Sequence, residues 1–285
     1  MITVDENRNS NISSEHSEEL LNIIENFRLM DDTFMSKVFE DKACAELLLR
    51  VILNRDDLTV VKVVSQFELK NLQGRSARLD IYAVDEHGKQ YDVEVQRSDD
   101  GAAPRRARYN SSLLDANLLN PGDKFDELPE SYIIFITEHD VLKGGKPLYT
   151  VNRTISELDH AIFTDGSHII YVNGEIRNGT ALGELMQDFF CKDPREMHYK
   201  VLSDRADYFK KDKEGVDTMC KLMEDYADKR ARQAAEAAAE KAAKERSISI
   251  ATNLWNKGER DLQQIADLTD LPLDEVKKLF EGKTA

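Results

Sequence analysis

The stretch RLDIYAVDEHGKQYDVEVQ, residues 78–96, decides the fold. Two runs rich in β-branched and aromatic residues, Ala77–Val84 and Gln90–Gln96, flank DEHGK, whose Gly88 suits a turn, so the segment reads as a β-hairpin. Side chains alternate along a strand, which sends Asp92, Glu94 and Gln96 to one face and Tyr91, Val93 and Val95 to the other. A hairpin symmetric about His87 sets Asp80 opposite Glu94. Like charges opposed across strands repel, and the pair calls for a positive partner. Hard oxygen ligands favour Mg²⁺, with Mn²⁺ as the alternative, and Mg²⁺ commonly takes one or two carboxylates while keeping several waters. On spacing alone a second reading stands beside this one, an exposed hairpin whose acids are simply solvated.

Upstream, Asp32 or Thr33 is expected to cap a helix whose apolar positions Phe34, Val38, Phe39, Ala43, Leu47 and Val51 recur at helical spacing through Leu53. A shorter helix is expected before it, at Glu18–Phe27. Residues 58–71, LTVVKVVSQFELKN, read as a strand. Downstream, SDDGAAP leads into a helix with Pro104 in its first turn, followed by strands SYIIFITE (131–138) and SHIIYVNG (167–174), with a Gly/Pro-containing loop between them. Helices are expected at Leu182–Phe190, Tyr199–Lys211 and Val216 to about Arg246, where Ala alternates with charges of both signs and no strong apolar seam appears. The last residues read as two short helices around a turn, with Leu268, Leu271, Val276 and Leu279 as a small core.

The chain has 285 residues and a formal charge of −15, with 33% charged and 41% hydrophobic residues. That balance excludes a blanket coat for nucleic acid or an anionic-membrane binder; any nucleic acid must be met by a local basic patch. No apolar run reaches the ~20 residues of a membrane span. The first residues lack the pattern of a signal peptide, and a cytoplasmic location is expected. Cys44, Cys191 and Cys220 form no C-x-x-C pair, which favours buried thiols over a disulfide framework or a zinc site. His139, His168 and His198 have no metal-ligand spacing and read as structural. No P-loop, dinucleotide fingerprint or Ser/His/Asp arrangement is present.

The segments MDDTFMSKVFEDKACAELLLRVIL, RLDIYAVDEHGKQYDVEVQRSDDGAAPRRARYNSSLLD, LPESYIIFITEHD and DGSHIIYVNG together resemble the PD-(D/E)XK nuclease family transposases, related to the recombination-promoting nuclease group. The resemblance spans roughly residues 30–225. It implies an α/β, restriction-endonuclease-like α-β-β-β-α-β core, a mixed sheet flanked by helices, here with a helical C-terminal extension. It implies metal-dependent endonucleolytic hydrolysis of DNA phosphodiesters, with Asp80 and Glu94 as metal ligands, the Val95 carbonyl as a backbone ligand and Gln96 as the third catalytic position. Glutamine replaces the usual lysine there; it can orient water but carries no charge. In this family an acid from the first helix often joins the site, for which Glu46 and Glu40 are the candidates. Asp92 stands as a supporting acid or a solvated one.

Arg105, Arg106, Arg108 and Tyr109 open the helix after the motif strand and are the candidate DNA contacts, Arg108 and Tyr109 nearest the site. A surface helix turn with its arginines paired to Asp99 or Asp100 is the plainer reading. The expected organisation is an acidic flexible tail (1–30), the nuclease-like domain (31–215), a long Ala-rich charged helix (216–247) and a small helix-turn-helix-like module (248–285). The second helix of that module opens Pro272-Leu273-Asp274-Glu275, and acids there repel phosphates, so self-association into a homo-oligomer is expected of it in place of base reading. A nuclease fold with weak or lost catalysis, acting as a DNA-binding or defence-associated scaffold, is the alternative function.

Overall fold

The computed structural model describes residues 18–71 and 74–281. Residues 1–17 of the expected tail lie outside the described residues. The chain divides into two compact units, Met1–Lys221 and Leu222–Ala285.

In the first unit the order is α1 (Glu18–Asn26), α2 (Asp32–Val38), α3 (Lys42–Leu53), β1 (Val60–Leu69), β2 (Ala77–Asp85), β3 (Gln90–Gln96), α4 (Pro104–Leu118) and β4 (Ser131–Thr137). There follow β5 (Leu148–Val151), β6 (Thr154–Ile155), β7 (Ala161–Ile162), β8 (Ser167–Asn173), α5 (Ala181–Phe190) and α6 (Lys200–Lys211). Six strands form one mixed sheet in the order β1-β2-β3-β4-β8-β5; β3, β4 and β8 are parallel and the other neighbours antiparallel. The α-β-β-β-α-β succession of α3, β1, β2, β3, α4 and β4 is the expected core.

The loop from β4 to β8 is more structured than expected. β5 lies along β8, and β6 and β7 make a separate two-stranded ribbon. Strands of two to four residues are too short to show a period-2 pattern.

Asp85 pins the hairpin. Its Oδ1 accepts from the backbone N–H groups of His87 and Lys89, each at 2.9 Å, and its Oδ2 accepts from the Tyr91 hydroxyl at 2.8 Å. Gly88 takes a φ of 79°, which a residue without Cβ adopts freely. The register is the symmetric one: Val84 faces Gln90, Ala83 faces Tyr91, Tyr82 faces Asp92 and Ile81 faces Val93.

α4 covers one face of the sheet, where Ala107, Leu113 and Leu114 join Tyr82, Ile133, Phe135 and Tyr171 in one buried cluster. On the other side α2 and α3 pack against β1, and α5 and α6 pack against α3. Phe39 stacks on Phe189 at 5.8 Å and Phe34 meets Phe209 edge-on at 6.4 Å. Asp188 is a fully buried carboxylate in this layer; it accepts from the backbone N–H groups of His198 and Tyr199 at 2.7 and 2.9 Å and contacts His198 Nδ1 at 3.0 Å.

The helix expected from residue 32 to Leu53 is two helices. The chain breaks at Phe39–Asp41, and Asp41 caps α3 by accepting from the backbone N–H groups of Ala43 and Cys44. The break frees α2 to set its first residues against the hairpin.

A second irregularity serves the same place. Ser65 faces Ile81 and Phe67 faces Leu79, which puts Gln66 beside Asp80 in the register, and Gln66 has a φ of 53° in the middle of β1. A left-handed residue with a side chain costs about 1–2 kcal/mol, and such strain collects at functional sites. Gln66→Gly is therefore expected to raise stability by about 1 kcal/mol, whereas Gln66→Val is expected to lower it; denaturant midpoints of the two variants check this.

The second unit begins within α7 (Lys213–Asn256) and continues with α8 (Leu262–Thr269) and α9 (Leu273–Phe280). α7 runs ten residues past the expected end at Arg246, because Ala251 and Trp255 form an apolar stripe that joins Ile265, Ala266, Leu271, Val276 and Phe280 in a small core. Trp255 stacks on Phe280 at 4.4 Å. Leu268, expected in that core, is instead exposed. No helix among the described residues is long and apolar enough to cross a membrane.

Candidate active site

The β2–β3 pairing ends at Ile81 and Val93, so Asp80 and Glu94 lie just past the last ladder pair, where the two strands separate. Asp80 turns across the gap and its Oδ2 accepts from the Val95 backbone N–H at 3.0 Å. Glu94 is fully buried on the α4 side of the sheet, and Asn110 of α4 donates to both Glu94 Oε1 and Asp92 Oδ2, at 3.4 and 3.3 Å. Asp92 is also fully buried, and its Oδ1 has no hydrogen-bond partner among the described residues.

Three buried acids this close cannot all ionise cheaply. Burial pushes the Asp80 carboxyl up to about 6; Asp32 adds to the rise, while the Val95 N–H, Arg106 and Arg78 oppose it. Glu94 rises to about 8, from burial first and the charge of Asp80 second, with Arg106 opposing. Asp92 is raised well above the ordinary carboxylate range by burial and by the charges of Glu94 and Asp80.

Arg106 reaches in from the first turns of α4. Its Nη2 pairs with Glu94 Oε2 at 2.5 Å, and its Nη1 donates to the Gly101 carbonyl at 2.9 Å and to Gln96 Oε1 at 3.3 Å. The Gln96 amide in turn donates to Glu94 Oε2 at 3.2 Å. Gly101 is part of this frame: a Cβ there would stand 2.0 Å from Gln96 Oε1.

Asp80, Val95, Gln96, Arg106 and Asn110 line a cleft of about 1200 Å³ between the N-terminus of α2, the start of β2 and the first turns of α4. Arg75, Arg78, Arg97, Arg105 and Arg106 line it against Asp31, Asp32 and Asp80, so a chain that is acidic as a whole presents a locally basic groove. Tyr109 also lines it, with its hydroxyl on the Arg75 carbonyl.

The residues singled out in the sequence separate here. Asp80, Val95, Gln96, Arg105, Arg106 and Tyr109 all line the cleft, with Glu94 buried behind Arg106. Arg108 is exposed and does not line it, since the helical turn that brings Arg106 and Asn110 inward carries Arg108 away. Arg106 is thus the arginine nearest the acids, where Arg108 was expected. Glu46 is taken by the Val60 backbone N–H and by Arg50, and Glu40 by Lys37 and Ser65.

The acid that α2 does bring to the cleft is Asp32, whose Oδ1 accepts from Gln66 Nε2 at 3.4 Å and whose charge acts on Asp80 and Glu94. In the sequence it is indistinguishable from a helix cap. His139 and His168 lie against Glu175 and Tyr132, away from the cleft.

Among the described residues no group of three or more His, Cys, Asp and Glu side chains forms a ready metal cage. The donor set nonetheless fits a divalent cation of the Mg²⁺ type. It offers two neighbouring carboxylates of hard oxygen, a backbone carbonyl at Val95 and an open cleft for retained water. A family model described as PD-(D/E)XK nuclease family transposase matches residues 34–181, from α2 to the start of α5 and across the whole sheet.

The chain belongs to the PD-(D/E)XK nuclease family transposases.

No curated protein and no solved structure matches the chain. The family is one of nucleases that generally use divalent metals, and the split hairpin end with its two acids lies inside the matched region. In this PD-(D/E)XK chain Asp80 and Glu94-Val95-Gln96 lie inside the matched region, and the Gln96 amide donates to Glu94.

Proposed function

We propose that the protein is a metal-dependent DNA endonuclease that hydrolyses phosphodiester bonds, of the mobile-element or recombination-promoting kind. The observation that carries this reading is the pairing of Asp80 with buried Glu94 at the floor of an arginine-lined cleft inside the matched nuclease region. Asp80 and Glu94, with the Val95 carbonyl, would hold Mg²⁺ or Mn²⁺. Polarisation of the phosphate and a lowered water pKa are what such an ion contributes when bound.

The chain's own groups do the rest. Arg75, Arg78 and Arg105 meet the phosphate backbone through charge-assisted hydrogen bonds. Gln96 orients the attacking water by its amide, without the charge a lysine brings. Binding through so small a basic patch on an acidic protein is expected to be weak and steeply salt-dependent. The second unit, with acids opening α9, is read as a self-association module for a homo-oligomer.

A supercoiled-plasmid assay with Mg²⁺, Mn²⁺ or EDTA tests the reading on the wild type and on Asp80→Ala and Glu94→Ala. Nicking that needs metal and vanishes in both variants is expected. Persistent cutting by both would sink the site. Folded wild type that binds DNA but cuts under no metal would favour the scaffold reading, for which the uncharged Gln96 is the supporting observation.

Gly101→Ala supplies a finer test. The added methyl displaces only the end of the flexible Gln96 side chain, so the melting temperature is expected to stay nearly unchanged. Turnover is expected to fall by about tenfold or more, the scale of a lost orienting contact. Unchanged kcat in this variant would remove Gln96 from the chemistry.

A further inference from the structure

Glu94 is buried behind Arg106, and neither of its oxygens is free. Oε2 accepts from Arg106 Nη2 at 2.5 Å and from Gln96 Nε2 at 3.2 Å, while Oε1 accepts from Asn110 Nδ2 at 3.4 Å. Arg106 therefore sits on one of the two oxygens through which Glu94 could hold a metal, and the other is turned to Asn110 of α4. A guanidinium does not lose its proton at any working pH, so it cannot yield the site by becoming neutral. It can leave only for another anion, and its departure alone would strand a buried carboxylate beside Asp80.

The surroundings of Arg106 fit such a departure. Its side chain is 39% exposed while that of Glu94 is wholly buried, so the pair has one fixed member and one that already faces the open cleft. Its remaining contacts are to the Gly101 carbonyl and the Gln96 amide oxygen, neither of which is charged. A phosphodiester entering the cleft offers two oxygens in the geometry that a guanidinium prefers.

Resting on the reading of Asp80 and Glu94 as metal ligands, we propose that Arg106 is an exchangeable counter-ion: it neutralises Glu94 in the DNA-free protein and passes to a backbone phosphate when DNA enters, which opens Glu94 to the metal. Arg106 is then a positioning residue that couples two binding events. DNA tightens metal binding because it removes the competing cation, and by reciprocity the metal tightens DNA binding to the same degree. The free protein is held with its metal site closed, so hydrolysis is confined to occasions when a phosphate is already in place.

The test is calorimetric titration of Mn²⁺ into the full chain, alone and with a short phosphorothioate duplex that resists hydrolysis. The duplex is expected to tighten Mn²⁺ binding to the wild type by about tenfold, within the ordinary range of linked binding. Arg106→Gln is expected to bind Mn²⁺ about tenfold more tightly than the wild type without DNA, and to gain little from the duplex. Wild-type affinity for Mn²⁺ that is indifferent to the duplex would overturn the exchange. So would Arg106→Gln binding Mn²⁺ no more tightly than the wild type. In either case Mn²⁺ binding that Asp80→Asn abolishes leaves the metal-ligand reading standing. Absence of Mn²⁺ binding in every form would overturn both. Should Arg106→Gln not fold, the wild-type titrations with and without duplex decide the matter by themselves.

Discussion

Asp80→Asn is expected to abolish metal-dependent cleavage and, in the same protein, to raise the metal-free melting temperature at pH 8. The amide keeps an oxygen that accepts from the Val95 N–H, so the split hairpin end keeps its one bridging bond. What disappears is a negative charge that burial and Asp32 both oppose and that works against Glu94.

The sign follows from proton binding. The folded protein holds the Asp80 proton up to about pH 6, against a reference of 3.8 for the unfolded chain. Between those values the folded state binds more protons, so this group costs stability as pH rises through that window and the cost is complete above it. At about 1.4 kcal/mol for each unit, the relief in Asp80→Asn amounts to at most about 3 kcal/mol, or several degrees in a chain of this size. The gain is expected at pH 8 and is expected to shrink towards nothing near pH 4. Cleavage is expected to fall by about 10³-fold or more, the scale for losing a group that organises transition-state charge. Melting curves in EDTA at the two pH values, set beside plasmid nicking in Mg²⁺, check both halves. An equal gain at both pH values would show that charge is not the cause, and a lower melting temperature at pH 8 would contradict the account.

Asp188→Ala is expected to be among the most destabilising single changes in the sheet-bearing unit. Asp188 is fully buried and takes two backbone N–H donors and the His198 ring, which ties the end of α5 to the segment leading into α6. Alanine leaves those donors without a partner and opens a void where the carboxylate stood. Hydrogen bonds to a charged group contribute about 1.5–3 kcal/mol each, and unsatisfied buried donors cost on the same order, so a loss of about 3–5 kcal/mol is expected. The urea midpoint should fall by that amount divided by an unchanged slope. Asp188→Asn, which keeps one acceptor, should recover part of it. A midpoint within experimental error of the wild type in Asp188→Ala would contradict this role.

How much of this was legible in the residues differs from element to element, for physical reasons. The hairpin was, because period-2 alternation over seven to nine residues and a Gly-containing turn leave one symmetric register, and that register is the one observed. The succession of helix and strand around it followed from apolar spacing and from Pro104 at a helix start. The break between α2 and α3 was not, because Phe39 and Ala43 fit one continuous helical stripe and the capping role of Asp41 depends on where the chain turns. That break decides which acid reaches the cleft. Glu40 lies in the break itself and Glu46 in α3, whereas Asp32 opens α2. The inward turn of Arg106 did leave a signal: Leu113, Leu114 and Leu118 set the apolar phase of the helix, and that phase favours Arg106 over Arg108 on the sheet side.

The contacts of Asp85 at the hairpin turn reach further than their position implies. Register in a two-stranded ribbon is all or nothing, since a slip of one residue reverses the face of every side chain on the strand. A slipped β3 would send Asp92 and Glu94 to the face that α4 does not cover and Val93 and Val95 to the face that it does. Asp85, by accepting from His87, Lys89 and Tyr91, makes that slip costly. Glu94 stands four residues beyond the start of β3 at Gln90, about 13 Å along the strand at the usual rise per residue. The turn is in effect the address label of the acids: a lesion there touches neither of them, yet delivers Asp92 and Glu94 to the wrong side of the sheet.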